Sequence, residues 1–515
     1  MATAARSDLA DRTTGLVSWT IAWRAASAVT TLALEVVIAR QLGSVRYGIY
    51  ASVLSGLIYL AVLATFGQDQ SLLRYVPEVL ARRDRVAALD LLRKSFLAML
   101  ALWLLTSLAV LAARPLIDSL LNAHIGNLLA LGAFLLLGTI AAGMMSFALV
   151  GIYDMRSQAL ATPVAGALTL VLAVVLLRLG AGVPGVLVAG ACGQSALALF
   201  YLRLLVRRIR REAPLAPDRI GWRRLLLYAS GWLPSLLIAS AVGLEFETFF
   251  LLRFAGPVAA GYYRIGYALP QRLVALIPSI LTGAWVVGTL EGGRGREVLR
   301  SAVAAFYRGI FLVACPLALG ASALLGPLIL AFFKSAYAPS AAIAPVMLAC
   351  FCAALLAAPW GLVVRVRELA WLNALINIAQ VGVAAVADLW LISHFGLWGA
   401  VAAVALTTVL TLVLSFGVWR VADPASLTIP WAYGGRCLLA ALPYALLFPL
   451  AAASARLSAT IRLALLLFAA AGLTIAWIWM VRRLALLDVA QVPLLHASRH
   501  KAVRMALAWL APTEG

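Results

Sequence analysis

Apolar runs of about 20 residues recur along the chain from residue 16 to residue 481, broken by short polar or glycine-containing segments. That length is what a helix needs to cross the hydrocarbon core of a bilayer. Fourteen stretches qualify: 16–39, 47–67, 92–113, 127–150, 161–180, 184–206, 225–252, 262–290, 304–325, 341–363, 371–393, 396–419, 434–453 and 461–481. They are called spans 1 to 14 below. The breaks on the side of the span 1–2 turn are all short, the longest near 326–340, which leaves no room for a folded domain outside the membrane. Composition agrees with the pattern: 64% of residues are apolar or aromatic and 12% are charged, with a mean hydropathy of +1.00. A soluble protein is roughly half apolar and about a quarter charged. The fold class is therefore an all-α polytopic membrane protein, and soluble enzymes, secreted scaffolds and disordered chains are excluded.

Charge changes the picture next. The 41 Lys and Arg against 20 Asp and Glu give +21, which in a soluble chain would point to nucleic acid. In a polytopic chain basic residues instead gather in cytoplasmic loops. With the amino terminus inside, thirty lie in inward segments, eight in outward segments, and three (Arg24, Arg264 and Arg272) within spans. The expected topology places both termini in the cytoplasm, with membrane lipid rather than nucleic acid as the partner. Arg6, Asp8, Asp11, Arg12, Arg24 and Glu35 in and before the first apolar run mark it as a retained span rather than a cleaved signal. Residues 485–511, with His496, Arg499, His500, Lys501 and Arg504, form an amphipathic run expected to lie on the inner leaflet. Cys192, Cys315, Cys350, Cys352 and Cys437 fall in or beside apolar stretches and read as small core residues. No metal or cofactor is expected, and no Gly-Lys-Ser/Thr nucleotide loop is present.

The chain also contains an internal duplication. Arg40-Gln-Leu-Gly43-Ser-Val-Arg-Tyr47-Gly48-Ile-Tyr50 aligns with Arg253-Phe-Ala-Gly256-Pro-Val-Ala-Ala260-Gly261-Tyr-Tyr263 at an offset of 213. Far away, Gly182-Val-Pro-Gly185-Val aligns with Gly396-Leu-Trp-Gly399-Ala at an offset of 214. Six spans separate equivalent points, an even number, so the copies are parallel repeats related by an axis along the membrane normal. Each glycine falls where one span ends and the next begins, which calls for tight turns. The expected organisation is a first lobe over 1–210 (spans 1–6), a basic cytoplasmic linker over 211–224, a second lobe over 225–420 (spans 7–12), spans 13 and 14 over 421–484, and a tail over 485–515. Such paired bundles enclose a central cavity.

The same residues carry a family resemblance. The Arg40–Tyr50 motif, followed by Phe66-Gly67-Gln68-Asp69-Gln70-Ser71-Leu72-Leu73-Arg74-Tyr75-Val76-Pro77-Glu78, resembles the opening of Wzx-like oligosaccharide-lipid flippases of the multidrug/oligosaccharidyl-lipid/polysaccharide (MOP) exporter superfamily. Leu233-Pro234-Ser235-Leu236, then Glu247 to Gly256, resembles that family's seventh span, where an acidic residue, usually Asp, precedes a Leu-Gly turn. Gly396-Leu-Trp-Gly399-Ala resembles the entry to its twelfth. The resemblance implies two six-helix lobes plus two helices, and movement of an undecaprenyl-diphosphate-linked oligosaccharide from the inner to the outer leaflet for cell-surface or exopolysaccharide assembly, beside polysaccharide polymerase and glycosyltransferases of the same pathway.

Charges inside a membrane are costly and normally face a bundle interior. Arg24, Arg272 and Arg264 are the candidate cavity residues for a diphosphate, which a guanidinium grips with paired hydrogen bonds. Arg264, near the outer interface, could equally snorkel. Arg24 and Glu35 share a face about 16 Å apart along the helix and cannot pair with each other. Pro270 separates Arg264 from Arg272 and breaks the regular ladder there. Glu35, Glu247 and Asp388 are the candidate coupling or charge-balancing acids. Glu247 is preferred over Glu245 because it occupies the family's acidic position. Asn373, Asn377 and Gln380 form one stripe, i, i+4, i+7, suited to sugar hydroxyls or to bonding neighbouring helices. Trp103, Trp285, Trp360, Trp371, Trp390 and Trp398 read as interface anchors or packing. The expected mechanism is alternating access with a cationic cavity. Lipid II or a cationic drug is the alternative cargo. A polytopic glycosyltransferase, polymerase or ligase is the alternative of another class, disfavoured by the short outward loops, and a membrane scaffold is the third.

Overall fold

The computed structural model describes residues 2–81, 85–151, 155–210, 221–243, 246–280, 296–367 and 369–486. The 485–511 run lies outside the described residues but for its first two positions, and Trp285 and Glu245 lie outside them altogether. Described secondary structure is helical throughout, with no strand among the described residues. Among the described residues, ten helical stretches are long and apolar enough to cross a membrane. Two of them, Ala26–Thr65 and Trp371–Ala422, each cover two expected spans folded at a glycine. Spans 7 and 8 are the further helices Trp222–Gly243, Glu247–Phe254 and Gly256–Ile280.

The duplication is written into the backbone. Gly43 has φ 72° and its equivalent Gly256 has φ 82°, while Gly182 and Gly396 have φ 56° and 53°. Both members of each pair occupy the left-handed region, which glycine enters without the Cβ clash that penalises other residues. A chain that must reverse between two spans within one residue therefore needs glycine at the same place in each copy. The break near 326–340 is shorter than the sequence pattern implies. Helix Arg296–Phe333 runs halfway through it, the reversal falls at Lys334 (φ 70°), and the turn Ser335–Tyr337 leads directly into helix Ala338–Ala354.

The chain folds into two compact units. One comprises Ala22–Arg264 and Asp388–Ala400. In it, helix Gly126–Gly151 packs most extensively on helix Gly182–Arg210. The turn before Gly126–Gly151 is held by Asp118, whose Oδ1 accepts from the Ile125 and Gly126 amides at 2.8 and 2.7 Å. Those are donors that a helix start would otherwise leave unsatisfied. Trp103 donates to the Ala133 carbonyl at 2.7 Å and ties span 3 to span 4.

The other unit comprises Met1–Ile21, Ile265–Ala387 and Val401–Gly515. Its fully buried Trp419 stacks on Tyr307 and Phe416, lies against Trp360, and donates to Ser426 Oγ at 2.9 Å. Tyr307 in turn donates to the Leu356 carbonyl. A hydroxyl or indole brought into apolar surroundings costs least when its polar atom is satisfied, as those of Trp419 and Tyr307 are. Arg367 and Asp423 form an ion pair of 2.7 Å at the ends of their helices. Spans 13 and 14 are integral to this unit: Tyr444, Leu447, Ala451 and Leu466 make a common core with Ala323 of span 9. Trp371, Trp390 and Trp398 are exposed, in keeping with interface anchors.

Candidate functional site

Intramembrane charges gather at two places in the first unit. At the repeat turn, the starts of spans 2 and 8 are brought together by the close approach of their glycines. A Cβ on Gly48 would lie 1.6 Å from the Pro257 carbonyl oxygen, and one on Gly261 would lie 3.2 Å from Gly48 Cα. Only backbone fits on either side. Tyr47 and Tyr263 are fully buried beside this contact, while Arg40 and Arg253 at the helix ends are exposed, Arg253 lying over the Phe254 ring. Below the contact, Arg264 Nε stands 3.9 Å from Glu35 Oε1, and both residues are buried. That separation exceeds a hydrogen bond, so the pair interacts by charge in a low-dielectric setting. Two residues that sequence reasoning gave to different tasks, a diphosphate ligand and a coupling acid, thus face each other.

The second place is where helix Glu247–Phe254 packs against residues 388–392. Glu247 is the first residue of that helix, where the positive end of the helix dipole favours a carboxylate. Tyr59 of span 2 contacts the rings of Phe246 and Phe249 and seats this helix start. Opposite lies the segment Asp388–Ile392, a single π-helical turn inside span 11. Wide turns of this kind interrupt the regular ladder and recur at functional sites. Asp388 is 1% exposed, and neither carboxylate oxygen has a hydrogen-bond partner. Glu247 is near enough for the two carboxylates to repel. Thr248, next to Glu247, is fully buried, and its hydroxyl is likewise unbonded. No sequence signal singled it out.

The remaining candidates are dispersed. Arg272, half-buried in helix Gly256–Ile280, belongs to the second unit. Arg24 lies in helix Ala2–Thr65, and its side chain is outside the described set. In the 373, 377, 380 stripe, Asn373 and Asn377 are half-buried, whereas Gln380 is buried and donates to Thr411 Oγ1 at 2.9 Å, bonding span 11 to span 12. Among the described residues no group of three His, Cys, Asp or Glu could hold a metal ion, and the five cysteines are free thiols.

Comparison with known proteins follows from this architecture. No curated protein matches the chain. Among solved structures, the lipid II flippase MurJ in an inward closed conformation matches with a TM-score of 0.66 at 10% identity, covering 89% of this chain and 98% of that one. An inward-facing multidrug resistance MATE family transporter of the MOP superfamily matches at 0.60 and 16%, covering 78% and 95%. An outward-facing one matches at 0.56 and 20%, covering 81% and 96%. At these identities the likeness concerns the fold. The family is shown by sequence: the model described as polysaccharide biosynthesis protein matches residues 17–286, more than half of the chain. This multi-pass membrane protein, with a fold like those of the MurJ flippase and the MATE transporters, belongs to the polysaccharide biosynthesis protein family.

Proposed function

We propose that the chain is a flippase that moves a polyprenyl-diphosphate-linked oligosaccharide from the inner to the outer leaflet of the bacterial inner membrane by alternating access of its two repeats. The observation that carries this reading is the family match over the first eight spans, joined to arginines kept at membrane depth where insertion costs about 2.5–3.5 kcal/mol each. Arg24 and Arg272 are the proposed diphosphate ligands. Arg264 contributes through its exchange with Glu35, and Asn373 and Asn377 are the proposed glycan contacts. Outward movement of an anion down an inside-negative potential gains about 2.3 kcal/mol per charge per 100 mV, so transport needs no nucleotide. Pathway polymerase and glycosyltransferases are the proposed partners, and the chain itself performs no glycosyl transfer.

The test is translocation of a fluorescent polyprenyl-diphosphate glycan in proteoliposomes. Replacing one guanidinium–phosphate contact worth about 1.5–3 kcal/mol by Arg24→Ala or Arg272→Ala is expected to slow translocation by roughly 10- to 100-fold. If both variants move the glycan at the wild-type rate, the diphosphate assignment is wrong. Glycosyl transfer by the purified protein would overturn the transporter reading itself.

A second reading is favoured by one observation, the acid pair Glu247 and Asp388. A fully buried carboxylate beside a half-buried one makes a place where a proton or a cation would be stabilised. Under the flippase reading this pair couples transport to an ion gradient. Under the alternative reading it belongs to an exporter of cations. Competition of a lipophilic cation with the glycan lipid separates the two: inhibition by the cation with no glycan movement would favour the alternative.

A further inference from the structure

Gly48 and Gly261 are equivalent positions of the two repeats, and they touch. Two copies of one residue can meet only where the symmetry axis passes between them. The repeat axis of this protein therefore runs through the backbone contact at the span 1–2 and span 7–8 turns. With the amino terminus inside, as the basic residues predict, that contact is on the outward face. Glu35 lies eight residues before Gly43 and Arg264 eight residues after Gly256, so each is about 12 Å along its helix from the turn. They meet at one depth directly inward of the glycine contact.

The repeat permits a comparison that no single copy allows. The equivalent of Glu35 is Thr248, and the equivalent of Arg264 is Ala51. Both are completely buried, on the opposite side of the axis. One side of the axis thus carries an acid and a base, and the other a small hydroxyl and a methyl. If the charges served only to fill or fasten the fold, the duplicated scaffold shows that uncharged residues suffice at the same place. The glycines meet backbone to backbone, and a charge pair lies just inward of them.

We propose that the Gly48–Gly261 contact is the outward seal of the translocation path and that the Glu35–Arg264 ion pair, present on one side of the repeat axis only, is the latch that holds it shut. This rests on the alternating-access reading above and adds its trigger. A diphosphate is a better partner for a guanidinium than a carboxylate nearly 4 Å away, because it accepts paired hydrogen bonds. An anionic head group reaching Arg264 from the inside competes with Glu35 for the guanidinium and loosens the Glu35–Arg264 contact, so that the seal opens only behind a bound cargo.

The experiment measures the seal directly. Spin labels are placed by Gln41→Cys and Phe254→Cys, equivalent exposed positions beside the turns, in a full-length chain whose five native cysteines are replaced by alanine. Electron–electron distances are recorded in lipid nanodiscs on monodisperse protein without cargo. The parent is expected to show a dominant short distance. Glu35→Gln and Arg264→Gln are expected to raise the ratio of long to short distances roughly tenfold, equivalent to about 1.4 kcal/mol. Arg264→Lys, which keeps the charge, is expected to stay with the parent. Adding inorganic pyrophosphate to the parent is expected to shift the distribution toward the long distance, and to have no effect on Arg264→Gln. An unchanged distribution in both neutral variants overturns the latch, as does an Arg264→Lys distribution matching Arg264→Gln. The neutral variants are read without cargo, so their result is separate from the identity of the cargo. A glycan that is not translocated, with the distances shifting as described, would sink the function and leave the latch standing.

Discussion

Two buried acids in one unit have opposite surroundings. Glu35 sits 3.9 Å from a guanidinium. Asp388 sits in a π-helical turn with both oxygens unbonded and with another carboxylate, Glu247, as its charged neighbour. The desolvation cost of a buried charge is several kcal/mol and is offset only by a partner. Glu35 has its partner within the chain. Under the coupling role proposed above, Asp388 takes one from outside, a proton or a small cation, and its occupancy then depends on the medium. On the proposed roles, the difference separates a charge that holds a conformation from a charge that responds to a gradient.

The comparison breaks most visibly at Asp388. Asp388→Asn keeps the size and removes the titrating group. A coupled unit charge crossing a potential of about 100 mV is worth about 2.3 kcal/mol, roughly fiftyfold in accumulation. Asp388→Asn is expected to lose about that factor in gradient-driven transport while downhill exchange persists and the melting temperature does not fall. Parallel loss of both transport modes, or strong destabilisation, would mean that Asp388 is structural. Glu35 should behave in the reverse way. Glu35→Ala leaves Arg264 buried without this acid, a change worth about 3 kcal/mol or more where an ion pair is broken from one side. The expected result is a clearly lowered midpoint in thermal unfolding, with the charge reversal Glu35→Arg/Arg264→Glu recovering part of it. Equal stability of Glu35→Ala and the parent would show the pair to be incidental.

These contrasts were legible in the sequence only to differing depths. The left-handed glycines left a direct mark, because a positive φ at a one-residue reversal favours glycine in both copies, and Gly43/Gly256 and Gly182/Gly396 were found as parts of motifs, with Arg40/Arg253 and Tyr50/Tyr263, that share nearly one offset. Helix count and class followed from apolar length, since a membrane span has few alternatives. Partnership was not legible. Helical periodicity tells which residues share a face, as with Arg24 and Glu35, but not which distant helix lies opposite, so Arg264 and Glu35 were assigned apart although they meet. Nor does any residue type announce a π-helical turn, and the closeness of Asp388 to Glu247 depends on one. Gln380 illustrates the same limit: its stripe was visible, while its bond to Thr411 of span 12 required the fold.

Gln380 also grades the comparison between a charge and a neutral group. Its amide donates to Thr411 at 2.9 Å and is buried. Thr411→Val removes the acceptor and keeps the shape, leaving a buried donor unsatisfied at a cost of about 1–3 kcal/mol. A shift of that order in thermal unfolding is expected, with less effect on gradient response than at Asp388. A change in glycan selectivity, with no change in stability, would instead assign Gln380 to the cargo.

The smallest effect is expected where an ion pair has the best geometry and the most water. Arg367 and Asp423 approach to 2.7 Å, much closer than Glu35 and Arg264, yet the Arg367 side chain is 33% exposed. Solvent screens such a pair, and exposed pairs typically contribute about 0.2–1 kcal/mol. Arg367→Gln is expected to lower the unfolding midpoint only slightly, and raising salt from about 0.1 to 1 M, which shortens the screening length from about 10 to 3 Å, should shrink the difference further. The buried Glu35–Arg264 pair should respond little to the same salt. If Arg367→Gln costs more than Glu35→Ala, then distance rather than dehydration sets the strength of these pairs, and the argument that a 3.9 Å contact holds the outward seal fails with it.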